Sequence, residues 1–340
     1  MRAGPSQRSI WDTMSDAHRY NLERPAAELA TYLSQGPALY ELPLADVRQA
    51  VDGAQAGDAA PMPEVEEAWF TVPAEVGDVR VLIIRPPGAE APLPVVLYMH
   101  GGGWVLGSAS SHGRLARELA VAGDAAVAFV DYALAPEARY PVQIEQCYAV
   151  ARWVAEQGAV HGLDPSRLAV AGDSAGGNMA TVLCIMAKQR GDVNLVQQSM
   201  YYPMTDALTD EDSESYRLFK DGPYGTAETM EWFWRSYLPE PDLRIESTVS
   251  PLRATVDELD GLPPALIIVD ENDVLRDQGE AYATKLRDAG VPTASVRFNG
   301  TMHDFMNLSA LSDTETTRAA LQLAGSTFRR AFGTYHANPR

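Results

Sequence analysis

Several short runs of this chain are apolar almost throughout: Val95-Val-Leu-Tyr-Met99, residues 125–131, Leu168-Ala-Val-Ala171 and residues 265–269. Stretches with helical character separate them, at about 112–122, 142–157, 175–189 and 277–289, and a last helix is expected over about 314–332. A strand with one wet face alternates apolar and polar residues, whereas a strand without alternation must be covered on both faces. The pattern therefore predicts an α/β chain with a mostly parallel central sheet flanked by helices. Right-handed crossovers would then bring the C-terminal ends of the strands, and any site, to one edge of the sheet. Further strands are expected at 68–73, 79–85, 199–202 and 293–298.

Two regions break this rhythm. Residues 10 to about 55 read as amphipathic helix, with Leu22, Ala26, Leu29 and Leu33, then Leu44, Val47 and Val51, at helical spacing, and 54–63 reads as a linker. Residues 204–250 hold an acidic stretch (Asp206, Asp210, Glu211, Asp212, Glu214), expected to be a solvated loop, and then an aromatic group around Trp232-Phe-Trp234. With no strand signal, 204–250 is expected to be a helical insertion. The organisation is thus a helical segment at 1–60, an α/β body at 65–203 and 251–335, and an inserted helical segment at 204–250.

Composition excludes some classes of function. Acidic residues outnumber basic ones 46 to 27, a formal charge of −19, which argues against nucleic acid or an anionic membrane as partner. Two cysteines, Cys147 and Cys184, are too few for a disulfide framework and are expected to be buried thiols. The N-terminus lacks the apolar core of a secretion signal, and no apolar run is long enough to span a bilayer, so a cytoplasmic protein is expected.

Chemistry enters at Gly172-Asp-Ser-Ala-Gly-Gly177, where the run 168–171 gives way to a helix. Close glycines let Ser174 sit at the tip of a sharp strand-to-helix turn, its hydroxyl exposed at a helix N-terminus that favours negative charge. His100-Gly-Gly-Gly-Trp104 directly follows the strand 95–99. Its glycines let backbone N–H groups approach a carbonyl, and with the N–H of Ala175 they would stabilise an oxyanion. His100 itself is expected to support that loop. A serine nucleophile needs a base. Among the histidines, His18 and His336 are terminal and His112 and His161 look like surface residues, which leaves His303, just after the strand 293–298. The orienting acid should follow the strand 265–269, where Asp270, Glu271, Asp273 and Asp277 stand. Asp270 ends the strand and Asp277 reads as a helix cap, so Asp273 is preferred and Asp277 is the alternative.

The blocks His100–Trp104, Asp131-Tyr-Ala-Leu-Ala-Pro-Glu137, Gly172–Gly177, Asp273-Val-Leu-Arg-Asp277 and Gly300-Thr-Met-His303 occur in this order over about 80–330. In that order they resemble the bacterial hormone-sensitive-lipase-like (family IV) carboxylesterases of the α/β-hydrolase superfamily. The resemblance implies an α/β-hydrolase fold whose helical cap is built from the N-terminal helices and 204–250. It implies Ser174, Asp273 and His303 as catalytic triad and the N–H groups of Gly102, Gly103 and Ala175 as oxyanion hole. Such chemistry needs no cofactor or metal, and since members of the family are often dimers, the resemblance alone supports a homodimer. Three positions depart from the family: Ala133 stands for Arg, Val274 for Pro and Asp304 for Gly. The first two are read as structural, while Asp304, beside the base, would shift its pKa or narrow the pocket.

The expected reaction is hydrolysis of a small-molecule carboxylic ester through an acyl-enzyme. Trp104, Trp232 and Trp234 suggest a walled pocket for short- to medium-chain or aromatic esters, unless they form the packed core of the cap. Amide, formamide or lactone hydrolysis by the same residues is the nearest alternative. A non-catalytic ligand receptor on the same fold, as in the plant gibberellin receptors, is the remote one, since there the base is lost and here His303 is present.

Overall fold

The computed structural model describes residues 20–54, 62–208 and 213–335. Strands β1 (Glu66–Val72), β2 (Val79–Arg85), β3 (Leu93–Met99), β4 (Ala126–Asp131), β5 (Leu163–Asp173), β6 (Gln197–Tyr201), β7 (Ala265–Asn272) and β8 (Thr293–Met302) form one sheet in the order β1-β2-β4-β3-β5-β6-β7-β8. The helices in chain order are α1 (Arg24–Leu33), α2 (Leu44–Ala54), α3 (Ala109–Gly123), α4 (Val142–Gln157), α5 (Ala175–Arg190), α6 (Glu214–Phe219), α7 (Ala227–Tyr237), α8 (Val256–Leu259), α9 (Arg276–Asp288) and α10 (Glu315–Ala331). β1 and β2 pair antiparallel, and so do β2 and β4. Every other pairing is parallel. The cause is connection length: the short link from β1 to β2 permits only a hairpin, while each parallel step carries a helical crossover.

The lack of alternation in the apolar runs now has its explanation. Along β3, Val95, Leu97 and Met99 join a core shared with α4 and α5, through residues such as Val154 and Leu183. Val96 and Tyr98 point the other way, into a core with Leu115, Leu119, Ala324 and Phe328 of α3 and α10. Helices α3 and α10 lie so close that a methyl on Gly325 would stand 2.4 Å from the Ala122 carbonyl oxygen. Cys147 and Cys184 are buried free thiols within this packing.

The expected helix at 10–55 is interrupted. Helices α1 and α2 are separated by a 3₁₀ turn at Leu39–Glu41, because Gly36-Pro37 and Pro43 remove the backbone donors and the geometry a continuous helix needs. Residues 10–19 of that reading, and 55–61 of the linker, lie outside the described residues. Described parts of 204–250 hold α6, α7 and a 3₁₀ turn at Pro241–Ile245, without a strand. The acidic run is not simply solvated. Asp206 pairs with Arg253 at 2.9 Å and Glu214 with Arg276 at 2.8 Å, while Asp210, Glu211 and Asp212 lie outside the described residues. Among the described residues no helix is long and apolar enough to cross a membrane.

Candidate active site

Strand β5 hands over to α5 at Ser174, whose backbone is left-handed (φ 52°, ψ −116°). A non-glycine residue holds such a conformation only where its surroundings over-determine it. The glycines supply that constraint by omission. A Cβ on Gly172 would lie 2.3 Å from the Gly176 carbonyl carbon, and one on Gly176 would lie 1.9 Å from the Met99 carbonyl oxygen. Only hydrogens fit where α5 crosses β3 and β5, and this close crossing aims Ser174 out of the strand end.

The loop after β8 brings His303 to that hydroxyl. Ser174 Oγ donates to His303 Nε2 at 2.9 Å, and His303 Nδ1–H donates to Asp273 Oδ2 at 2.7 Å, the proton assignment following from the partners on each side. The second oxygen of Asp273 accepts from the Leu275 N–H at 2.9 Å, which fixes the carboxylate. All three side chains are nearly inaccessible to solvent. This is the geometry in which a base can accept a serine proton while a carboxylate holds its tautomer. Burial alone would lower the pKa of His303, but the carboxyls of Asp273 and Asp304 outweigh it and hold the imidazole above its ordinary value.

Asp277, the alternative acid, is turned elsewhere. It stands in the first turn of α9 but does not cap it; its carboxylate accepts from the Ser215 N–H at 2.8 Å and from Arg276 Nε at 2.8 Å, serving the N-terminus of α6. Asp270 is fully buried two residues before the end of β7, with neither oxygen hydrogen-bonded. Burial first, and the charge of Asp273 second, raise its pKa well above the usual carboxylate range. One ligand-type atom each from Asp270, Asp273 and His303 lies within 4.8 Å of the others, the one such cluster among the described residues. Both oxygens of Asp273 are already engaged there by the imidazole and the Leu275 amide.

The glycine loop follows β3 directly. Gly102 and Gly103 take φ of 90° and 61°, values that favour glycine, and the Gly102 carbonyl closes the turn by accepting from Val105 and Leu106 at 3.1 and 2.8 Å. Ala175 is the first residue of α5, where an N–H has no acceptor within the helix. At His100, Nδ1–H donates to the Gly101 carbonyl at 2.8 Å, and the ring stacks on Tyr132 with centroids 4.1 Å apart. Burial, then the neighbouring His112, lowers the His100 pKa to about 3, so the ring is neutral.

Several participants escape a reading of the sequence. Asp173, beside the nucleophile, accepts from the Gly101 N–H at 3.0 Å and from the Tyr98 hydroxyl, tying the glycine loop to the elbow. His112, expected at the surface, is a correction: it is buried, with Nε2 3.3 Å from Asp173 Oδ2. It begins a helix in a polar stretch, and only packing of α3 under the loop turns it inward. Arg48 of α2 reaches the Val105 carbonyl at 2.9 Å and Glu137 at 2.8 Å, so the N-terminal segment also grips the glycine loop. The aromatic group is arranged around its middle member, since a Cβ on Gly103 would fall 2.0 Å from Phe233 Cγ. Trp104 is fully buried and stacks on Tyr237 at 4.1 Å, with Trp234 at 4.5 Å. Trp232 is partly buried and lies 4.9 Å from Phe233. A cavity of about 470 Å³ lined by Trp234, Met230, Val274 and Leu275 lies behind the acid loop rather than at the Ser174 hydroxyl.

The family model described as alpha/beta hydrolase fold matches residues 96–307, from the middle of β3 to just past His303. This chain belongs to the α/β-hydrolase-fold family. An esterase of the fungus Gibberella moniliformis is 35% identical over 275 residues, 80% of this chain and 86% of its own length. The carboxylesterase NlhH of Mycobacterium tuberculosis is 40% identical over 236 residues, 68% of this chain and 72% of its own. The crystal structure of a thermostable esterase from Pseudomonas putida ECU1011 matches with a TM-score of 0.89 at 41% identity, covering 92% of this hydrolase and 98% of that chain. The resemblance is thus to the hormone-sensitive-lipase-like family at large, fungal members included, rather than to its bacterial members alone.

Proposed function

We propose that this α/β hydrolase cleaves carboxylic esters by two acyl transfers through Ser174. The observation that carries the reading is the unbroken chain Ser174–His303–Asp273, with contacts of 2.9 and 2.7 Å at the end of a parallel sheet; the esterases among its relatives support the bond class. His303 takes the Ser174 proton as Oγ attacks the carbonyl, and the N–H groups of Gly102, Gly103 and Ala175 receive the charge that develops on oxygen. The imidazolium then protonates the departing alcohol. Water, deprotonated by His303, attacks the acyl-enzyme, and collapse of the second tetrahedral intermediate releases the acid and restores Ser174. Asp273 holds His303 throughout.

A helical cap made of the N-terminal segment and 204–250 bounds the substrate in this reading. Its support is that both segments are anchored to the site's own loops. Asn21 donates to the Glu271 carboxylate at 3.0 Å, Ser215 binds Asp277, and Phe233 lies on Gly103. Phe233 against the glycine loop supports short- to medium-chain or aromatic esters, whereas Trp104 and Trp234 are packed into the core. The test is turnover of an aryl ester series, with a matched aryl amide, by the wild type and Ser174→Ala, together with fluorophosphonate labelling. Ester turnover should fall by several orders of magnitude in Ser174→Ala and labelling should vanish. Wild-type turnover in the variant would overturn the assignment, and a preference for the amide would transfer the bond class.

A further inference from the structure

Asp304 sits where three separate penalties meet. Its backbone is left-handed, with φ 65°, a conformation that glycine adopts freely and that aspartate adopts at some cost. Its side chain is only 18% exposed. Its Oδ1 is buried without a hydrogen-bond partner. Glycine at this position would remove all three. What the carboxyl gains is location: Oδ1 lies 3.7 Å from His303 Nε2, the nitrogen that accepts the Ser174 proton, on the side of the ring away from Asp273.

We propose that Asp304 is a positioning residue for the reacting proton, a second carboxyl partner of His303 that stabilises the imidazolium formed as Ser174 is deprotonated and so sets the strength of the base. The proposal rests on the acyl-transfer reading above. Asp304 does not act alone on this imidazole, since Asp273 raises its pKa more strongly. Asp273 engages Nδ1 and fixes the ring. Asp270, near the end of β7, has its pKa raised by burial and then by Asp273, which weakens its charge at the ring. Tyr202, from the segment after β6, presents its ring to His303 at 5.1 Å. Asp173 and His112 form their own close pair at 3.3 Å, on β5 and α3. Asp304 is therefore the carboxyl that can be removed while the Ser174–His303–Asp273 contacts stay in place.

Opposed consequences follow. A carboxylate beside Nε2 makes His303 a stronger base when neutral, and also keeps it protonated to higher pH. Removing the charge should therefore slow the alkaline reaction and speed the acidic one. The experiment is kcat/KM for a short-chain aryl ester against pH, with the rate of fluorophosphonate labelling of Ser174 over the same range, for wild type, Asp304→Asn and Asp304→Gly, and with Tm for each. In both variants the acid limb should move to lower pH by about half a unit or more, and the alkaline plateau should fall about three-fold. The profiles should cross, the variants being faster below about pH 6. Asp304→Gly should melt no lower than wild type, since the strained backbone is relieved. Profiles that stay parallel, with one apparent pKa, would overturn the proposal whatever their height, as would a uniform loss accompanied by a lower Tm. If wild type labels at Ser174 but turns over no ester, the acyl-transfer reading fails, while the labelling profiles still decide the role of Asp304.

Discussion

Replacing Gly176 with alanine tests the elbow at its tightest point. The added Cβ would stand 1.9 Å from the Met99 carbonyl oxygen, 2.6 Å from its carbon and 2.8 Å from the His100 oxygen. Non-bonded carbon and oxygen settle at about 3.3 Å, so roughly 1.4 Å of separation must be found. Neither side can rotate out of the way, because both are backbone, one in the middle of the sheet and the other in the first turn of α5. The start of α5 carries Ser174 and Ala175, and His100 leads into the glycine loop, so the proposed nucleophile and oxyanion donors would move apart together. A misplacement near 1 Å costs about 10²-fold in rate, and overpacking of this kind costs about 1–3 kcal/mol in stability. We expect kcat for an aryl ester to fall at least about 100-fold, with a lower denaturation midpoint in urea. The control is Gly113→Ala in α3, where the new Cβ meets nothing within 4 Å; it should add about 0.5–1 kcal/mol of helix stability with kcat unchanged. Wild-type kcat in Gly176→Ala would refute the reasoning, because it would mean that the elbow tolerates the displacement.

Asp273→Asn should lower kcat by several orders of magnitude through the wrong histidine tautomer, whereas Asp277→Asn should cost mainly stability, since its carboxylate serves Ser215 and Arg276; steady-state kinetics and urea midpoints read both, and the reverse ranking would move the acid role to Asp277. His100 gives a pH signature in stability. Its folded pKa is lowered, by burial and then His112, to about 3 from 6.5, so the unfolded chain binds the extra proton between those values. The stabilisation is present above the unfolded value and is lost as pH falls through this window. His100→Asn should flatten the acid side of a midpoint-versus-pH curve, and an unchanged slope would show that His100 is not buried neutral.

Much of the site was legible because its signals are local. Glycines around Ser174 and glycines after Met99 announce unusual backbone in the sequence itself, and apolar runs before them announce the strand ends that carry it. Asp273 and His303 followed from position after a strand, where a loop must bring them to the same edge. Residues that work across the sheet were illegible. Asp173 is one letter of the elbow, yet its partners Tyr98, Gly101 and His112 come from a strand, a loop and a helix far away in the chain. His112 reads as a surface residue because its neighbours are polar, and it is buried because α3 lies beneath the glycine loop.

The amino-acid sequence by itself determined the layering, the elbow and which side chains are proposed as nucleophile, base and acid. Those depend on period, on missing Cβ atoms and on order along the chain, which are properties of short segments. Tertiary structure decided the contacts that tune them: Phe233 laid on Gly103, Arg48 gripping the glycine loop, and Asp304 standing 3.7 Å from the reactive nitrogen of His303. The two carboxyls beside His303 show the difference. Asp273 was found from its place after a strand. The neighbouring Asp304 acquires its meaning only from a left-handed backbone and the direction it gives the side chain, because charge acts through distance in space and not along the chain.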